Sequence, residues 1–354
     1  MEYFFRHDKR LRIIAASLPR RTYLQRLKNR LGNYYFKFFG KYSYDEHRAI
    51  RLLTQRIEDG IDLNDFDVVL LFYLAHDTFI SYLNRKKGKS KIVIDTVDVQ
   101  SDRMGKLLAL RSKAAVFRRA VYLKRMEESE KKALKWADGL VALSREDQRY
   151  FEEDLHCKSV FYCPTGIEMP KLQNDQTIVG NNVLFYGAMN SIANARAASY
   201  FKHEVFPKVR RRFPDAKFLI VGSNPLPEVI ALQDSNTIVT GYVENVAEYF
   251  QNTKCFVCPF QVSYGERTRI YEVMGFGIPC VVTTSAVKGM GLEHVGGIIT
   301  EDDPVRFGEQ VVRIMESEVL RRRLGTSVRK WAEDHVSIEQ TYGKLVSYLE
   351  SISS

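Results

Sequence analysis

The segment Tyr264–Gly277 reads YGERTRIYEVMGFG and holds the densest set of chemically capable residues in the chain. It follows the apolar run CFVCPF and has the spacing of a helix start. A helix start exposes unpaired N–H groups and the positive end of the helix dipole, which suits a phosphate. Gly265 lets the backbone come close to a ligand, and Arg267 and Arg269 can add charged donors to a diphosphate. Glu272 is placed in the first helical turn, where a carboxylate is favourable and could accept from ribose hydroxyls. The bland alternative is a solvated Arg–Glu helix face. A second set of residues weighs against it: Gly187 in LFYGAMN, Gly222 in LIVGSN, Gly241 in VTGYV, and Thr283–Thr284 before SAVKGMG. One strand-end glycine is usually a turn, whereas several at corresponding strand ends point to a backbone-lined nucleotide crevice.

These residues need a frame, and the sequence pattern supplies one. In the first half, apolar runs at Arg12–Ser17, Asp67–Tyr73, Ile92–Val97, Leu140–Leu143 and Val160–Cys163 read as strands. In the second half the runs are Val183–Tyr186, Phe218–Val221, Thr237–Thr240, Cys255–Pro259 and Cys280–Thr283. Near-continuous β-branched and aromatic runs fit strands of a parallel sheet buried on both faces. Helical spacing fills the gaps, notably Arg103–Trp136, and Asp303–Pro304 is a strong helix start for a tail, 305–351, that reads as helical. Pro164–Gly180 has no sustained periodicity and marks a boundary. The expectation is an α/β chain of two Rossmann-like doubly wound domains facing across a cleft, with ligands at the carboxyl ends of the strands.

Composition narrows the classes. The chain has 354 residues, 45% of them hydrophobic, so it can bury large cores. No apolar run approaches the roughly 20 residues of a membrane span, and the start lacks the pattern of a secretory leader, so an intracellular location is expected. Five cysteines argue against a disulfide scaffold, and the C-x-x-C at Cys255 and Cys258 lies in an apolar run with no second pair to complete a zinc site. It reads as core. A D-x-D at Asp65–Asp67 opens a strand and is a weak metal candidate. No G-x-G-x-x-G follows a strand, which argues against a dinucleotide dehydrogenase. The formal net charge of +10 falls wholly in residues 1–170. Pro19–Tyr44 interleaves cations with Tyr34, Tyr35, Phe36, Phe38 and Phe39, and Arg103–Arg125 adds eight more Lys/Arg. Such segments suit an anionic membrane surface. Nucleic acid is the weaker reading, because no binding motif accompanies the charge.

Five blocks of the second half, in order, resemble the nucleotide-sugar-binding domain of GT-B glycosyltransferases, specifically the retaining family four ("group 1") enzymes. They are LFYGAMNSIANARAASYF, FPDAKFLIVGSNP, VTGYVENVAEYF, YGERTRIYEVMGFGIPCVVTT and, more loosely, SAVKGMGL. The likeness covers about residues 181–345. It implies that Glu272 holds the donor ribose, that Arg267 and Arg269 face the phosphates, and that Gly187 and Gly265 let backbone amides reach the diphosphate. Tyr264 stands where many relatives carry a second Glu. In the first half, FDVVLLF, KIVIDTVDVQSDR and EESEKKALKWADGLVALSREDQRYF are fainter matches to the acceptor domain. Val97, flanked by Asp95 and Asp98, stands where the family has a His facing the reacting sugar, and His76–Asp77 is a candidate substitute. RHDKRLRIIAAS resembles the family's second strand, so the chain reads as starting late, without the first strand and its glycine loop.

The resemblance therefore implies an acceptor-side domain over 1–170, a nucleotide-sugar domain over 171–336, and a helix over 337–354 returning toward the first domain. It implies a retaining hexosyltransferase of cell-surface polysaccharide or glycolipid synthesis, needing no metal or other cofactor. Its partners would be a nucleotide diphosphate sugar and a glycan or lipid-linked acceptor. Its place would be the cytoplasm, at the inner face of the membrane. The catalytic candidates are Arg267, Glu272, Asp98 and His76. The donor-binding candidates are Gly187, Gly222, Gly241, Gly265, Arg267, Arg269, Glu272 and Thr284. The alternatives are a catalytically impaired nucleotide-binding member of the same fold and a protein that binds membrane or nucleic acid through its basic half.

Overall fold

A computed structural model describes residues 44–72, 76–96, 99, 101, 116–171, 178, 180–262 and 266–353. The strand expected at Arg12–Ser17, the basic-aromatic segment up to residue 43, and the candidates Asp98 and Gly265 lie outside these residues. The chain divides into two compact units. Unit 1 contains the residues up to Pro164 together with 342–354, and unit 2 is Thr165–Thr341.

Unit 1 is a parallel sheet with helices between its strands. Its elements are α1 (Tyr44–Glu58), β1 (Val68–Phe72), α2 (Asp77–Lys86), β2 (Lys91–Asp95), α3 (Val116–Trp136), β3 (Gly139–Ala142), α4 (Arg145–Arg149) and β4 (Val160–Tyr162). The strands pair in chain order, β1-β2-β3-β4. β2 and β3 are almost wholly buried, as strands covered on both faces must be. The Asp65–Asp67 pair lies at the start of β1, where the Asp67 carbonyl accepts from Lys91, so it sits at the opposite end of the sheet from the strand carboxyl termini.

Unit 2 has six parallel strands: β5 (Asn182–Tyr186), β6 (Lys217–Val221), β7 (Thr237–Gly241), β8 (Cys255–Cys258), β9 (Cys280–Val282) and β10 (Ile298–Thr300). Their order across the sheet is β10-β9-β8-β5-β6-β7. The connections run outward in one direction from β5 and in the other from β8, so the direction reverses between these two neighbours. That is the switch point at which a doubly wound sheet leaves a crevice beyond its strand ends. The interleaved helices are α5 (Ile192–Tyr200), α6 (Phe206–Arg212), α7 (Pro227–Ile230), α8 (Ala247–Gln251), α9 (Thr268–Gly275) and α10 (Thr284–Val287).

The tail is helical: α11 (Pro304–Glu316), α12 (Glu318–Val336) and α13 (Ile338–Ser353). Asp303 caps α11 by accepting from the Arg306 amide, with Pro304 at the first helical position, as the sequence predicts. Ile167 forms a parallel bridge to Ser337, tying the first residues of unit 2 to the end of α12. In unit 1, the ring of Tyr348 on α13 stacks on Phe161 at 4.8 Å, and its hydroxyl shares a hydrogen bond with Ser159 Oγ at 2.9 Å. Gly139 makes this possible, since a Cβ there would lie 2.4 Å from the Tyr348 hydroxyl.

All five cysteines are free thiols. Cys255, Cys258 and Cys280 are fully buried in the apolar core of unit 2, and burial raises all three thiols, Cys258 to about 11. The C-x-x-C is therefore core, and among the described residues no group of three or more His, Cys, Asp or Glu is placed to hold a metal ion. No described helix is long and apolar enough to cross a membrane.

Candidate functional site

The site grows out of the crevice between β5 and β8. After β8 the chain passes through Pro259 and Phe260 and enters α9 at Thr268. Arg267 precedes α9 with φ −99° and ψ 74° and no side-chain cap, so the start of the helix faces the crevice without a competing acceptor from its own cap residue. The Arg267 guanidinium lies 3.8 Å over the Phe260 ring and donates to the Val262 carbonyl at 2.9 Å. At 6% exposure it is a buried cation, fastened to its own loop. Arg269 reaches from α9 across to β5. Its Nη1 donates to the Tyr186 carbonyl at 3.0 Å and to Asn194 Oδ1 at 3.1 Å. Asn194 is positioned in turn by donating to the Ala188 carbonyl at 2.7 Å. Two guanidinium groups thus converge with a helix N-terminus at the switch point, an arrangement whose field favours an anion.

The glycines fit this geometry, each in its own way. A Cβ on Gly187 would lie 2.1 Å from Arg269 Nη1, so the guanidinium occupies the space a side chain would take. The Gly187 amide donates to the Val221 carbonyl at 3.0 Å. Gly187 therefore contributes room, and the amide that the sequence reading assigns to the diphosphate is already engaged in the sheet. A Cβ on Gly222 would lie 1.6 Å from the Gly187 carbonyl oxygen, so these two strand ends can close together only without side chains. Around Gly241 nothing lies within 4 Å of a Cβ position, and its φ of +69° is what asks for glycine.

Glu272 falls in the second turn of α9, because the helix begins at Thr268 and holds no acid in its first turn. The first-turn placement expected from sequence is corrected accordingly. Burial holds the Glu272 carboxyl above its ordinary range, against the opposing pull of the Tyr186 hydroxyl and of Arg269. Tyr186 is pushed up to about 12, first by burial and then by the neighbouring Glu272. A phenol and a carboxyl so paired can both bond ribose hydroxyls. Thr284 begins α10, and its amide and hydroxyl are both held by the Asp302 carboxylate at 2.9 and 2.7 Å.

Unit 2 thus brings together Gly187, Gly222, Arg267, Arg269 and Glu272. His76 belongs to unit 1, where it sits buried just before α2, beside Asp77, whose amide meets Ser129 Oγ at 3.3 Å. The sequence reading missed Tyr186, Asn194, Phe260 and Glu266. Glu266 accepts from the Thr165 amide at 3.1 Å and from the Tyr271 hydroxyl at 2.9 Å, and so braces the entry to α9. The signal for Tyr186 and Asn194 was their place on either side of Gly187, within six residues of Ala188.

Comparison with known proteins bears on this crevice directly. Residues 180–317 match the family described as glycosyl transferases group 1. The matched stretch spans β5 through α11 and includes every site residue just described in unit 2 except Thr165. Among solved structures, sucrose-phosphate synthase from Thermosynechococcus elongatus is similar with a TM-score of 0.63 and 14% identity, covering 85% of this chain and 77% of that one. S. aureus TarM, solved as a point mutant in complex with Fondaparinux, alpha-GlcNAc-glycerol and UDP, is similar with a TM-score of 0.57 and 14% identity. That likeness covers 76% of this chain but only 58% of TarM. A glycosyltransferase from Rickettsia africae has a TM-score of 0.53 and 13% identity, over 80% of this chain and 97% of that one. At these identities the structural likeness establishes the fold, α/β of the GT-B type. A search of curated proteins returns no match. The group 1 match and the fold together support a glycosyltransferase.

Proposed function

We propose that this chain is a retaining glycosyltransferase that moves a hexose from a nucleotide diphosphate sugar to a glycan or lipid-linked acceptor, in cell-surface polysaccharide or glycolipid synthesis at the inner face of the membrane. The observation that supports this most is Arg269, clamped between β5 and α5 beside Glu272 and Tyr186, inside the segment that matches group 1. In this reading the diphosphate lies against the start of α9, and Arg267 and Arg269 stabilise the negative charge that develops as the sugar departs. Glu272 and Tyr186 hold the ribose. The acceptor hydroxyl attacks from the face the nucleotide leaves, and its proton passes to the departing phosphate. Anion stabilisation then comes from the two arginines and the helix dipole, and the proposal includes no metal.

The test is a thermal-shift panel of UDP, GDP and ADP and their sugars, followed by titration of Glu272→Ala. Ligand at 100 times its Kd should stabilise the fold by about 2.7 kcal/mol. The variant should lose most of that shift. If no nucleotide diphosphate moves Tm at millimolar concentration, the reading is wrong. The anomeric configuration of the product, read by NMR, tests retention. Val97, at the position where the resemblance implies a His, favours a second reading in which the chain binds nucleotide without transferring sugar. Binding with neither transfer nor donor hydrolysis would select it.

A further inference from the structure

The segment that opens unit 2, Thr165–Pro170, has no regular structure apart from the Ile167 bridge, yet it is fastened to both ends of α9. At the start of α9 the Thr165 amide donates to Glu266 Oε2 at 3.1 Å, and Glu266 Oε1 accepts from the hydroxyl of Tyr271, a fully buried residue of α9 whose ring stacks on Trp331 of α12. At the other end Arg329 of α12 donates to the carbonyl of Gly275, the last residue of α9, and to the Pro170 carbonyl at 3.0 Å. The segment lies close against that end, since a Cβ on Gly275 would come within 3.1 Å of Ile167 Cδ1 and 3.2 Å of Pro170 Cδ. On its far side it is anchored by backbone alone: the Ile167 amide donates to the Val336 carbonyl at 2.8 Å and its carbonyl accepts from the Ile338 amide at 3.0 Å. An eight-residue helix is about 12 Å long, and five extended residue steps reach about 17 Å, so this short strap can join one end of α9 to the other.

Arg329 needs no further explanation, because a cation is favourable at a helix C-terminus. Glu266 does. It lies between Gly265 and Arg267, in the loop that enters the anion-favouring end of α9. A carboxylate there repels a diphosphate, so its charge works against the ligand that the site's cations favour. Its bonds work the other way, because they tie the start of α9, and with it Arg267 and Arg269, to a strap anchored on α12 and α13. We propose that Glu266 is a positioning residue for the diphosphate, acting through the strap Thr165–Pro170 to fix the start of α9 and its two arginines. The proposal rests on the nucleotide-sugar reading of this crevice and adds to it a residue that acts by position and against its own charge. By reciprocity, a diphosphate that fixes the start of α9 also tightens the strap.

The full chain and its variants are titrated calorimetrically with UDP, GDP, ADP and inorganic pyrophosphate. Glu266→Ala should weaken binding by about tenfold or more. Glu266→Gln should restore it to the wild-type value or tighter, because the amide oxygen still accepts from Thr165, the amide nitrogen can donate to Tyr271, and the repelling charge is gone. Tyr271→Phe keeps the packing and removes one of the two bonds; it should weaken binding less than Glu266→Ala and add nothing to it in the double variant. Hydrogen exchange over residues 165–169 should slow with UDP in the wild type and be indifferent to UDP in Glu266→Ala, a ligand-dependent effect that a purely structural brace would not show. Wild-type affinity in Glu266→Ala would overturn the proposal, and so would equal losses in the Ala and Gln variants, which would assign the effect to charge. If Glu266→Ala fails to fold, the Gln and Tyr271→Phe variants still decide: a weakened Gln variant or an unaffected Tyr271→Phe would overturn it. A wild type that binds none of the four ligands would overturn the nucleotide reading together with this one, whereas a wild type that binds beside indifferent variants would overturn this one alone.

Discussion

Replacing Gly187 with Ala tests the core of the site geometry. The new methyl would start 2.1 Å from Arg269 Nη1 and 2.5 Å from its Cζ, and ordinary contact begins near 3.4 Å. The guanidinium must therefore retreat by roughly 1.3 Å. Its bonds to the Tyr186 carbonyl and Asn194, now 3.0 and 3.1 Å, cannot survive that shift together. Hydrogen bonds to charged groups contribute about 1.5–3 kcal/mol each, and relaxation with water recovers part of the loss, so the displaced arginine should cost about 2–3 kcal/mol. The backbone φ of +154° adds about 1–3 kcal/mol for a residue with a Cβ. Urea denaturation of wild type, Gly187→Ala, Arg269→Ala and the double variant separates these contributions. With Arg269 shortened there is no guanidinium to displace, so only the backbone cost should remain, and the cycle should show a coupling of about 2–3 kcal/mol. Nucleotide affinity should fall on the order of tenfold or more in Gly187→Ala. A coupling below about 0.5 kcal/mol would refute the claim that Gly187 exists to admit Arg269.

Two further perturbations probe neighbouring groups. Because burial raises the Glu272 carboxyl, that group favours the fold below its ordinary pKa and loses this contribution as pH rises through the folded value. Glu272→Gln should accordingly raise Tm near neutral pH, with the gain vanishing toward about pH 4; a gain that grows in acid would reverse the assigned cause. Asp302→Ala removes both acceptors at the start of α10 and should cost about 1 kcal/mol in chemical denaturation. Nucleotide affinity should stay the same, since Thr284 is engaged by Asp302; a tenfold loss would return Thr284 to the ligand.

What the sequence revealed depended on how local the cause was. β5, β6, β8 and β9 were legible because strands covered on both faces must be nearly continuous apolar runs, and CFVC is one. Asp303–Pro304 was legible because capping is settled within four residues. β10 was not, since three residues, Ile298–Thr300, following two glycines give no usable period. Arg267 and Arg269 were readable as cations near a helix start, but their separate fates were not. The burial of Arg267 depends on how the loop folds back over Phe260, and the clamp on Arg269 depends on β5 lying next to β8, a pairing of segments about seventy residues apart. Tyr186 has the look of an ordinary core aromatic until α9 brings Glu272 beside it. The composition of Pro164–Gly180 announced a boundary without its position, because packing decides that: Ile167 already bridges to Ser337, and so the division falls after Pro164.

The way α13 completes unit 1 bears on how the protein is made. Phe161, Ser159 and Gly139 wait for Tyr348, which the ribosome adds nearly two hundred residues later. Unit 2 is uninterrupted and has all its strands in hand by then. The unit synthesised first is thus the one finished last. During elongation its β3–β4 face stays uncovered while its neighbour folds, a window in which a nascent chain is most exposed to misassociation and most in need of a chaperone.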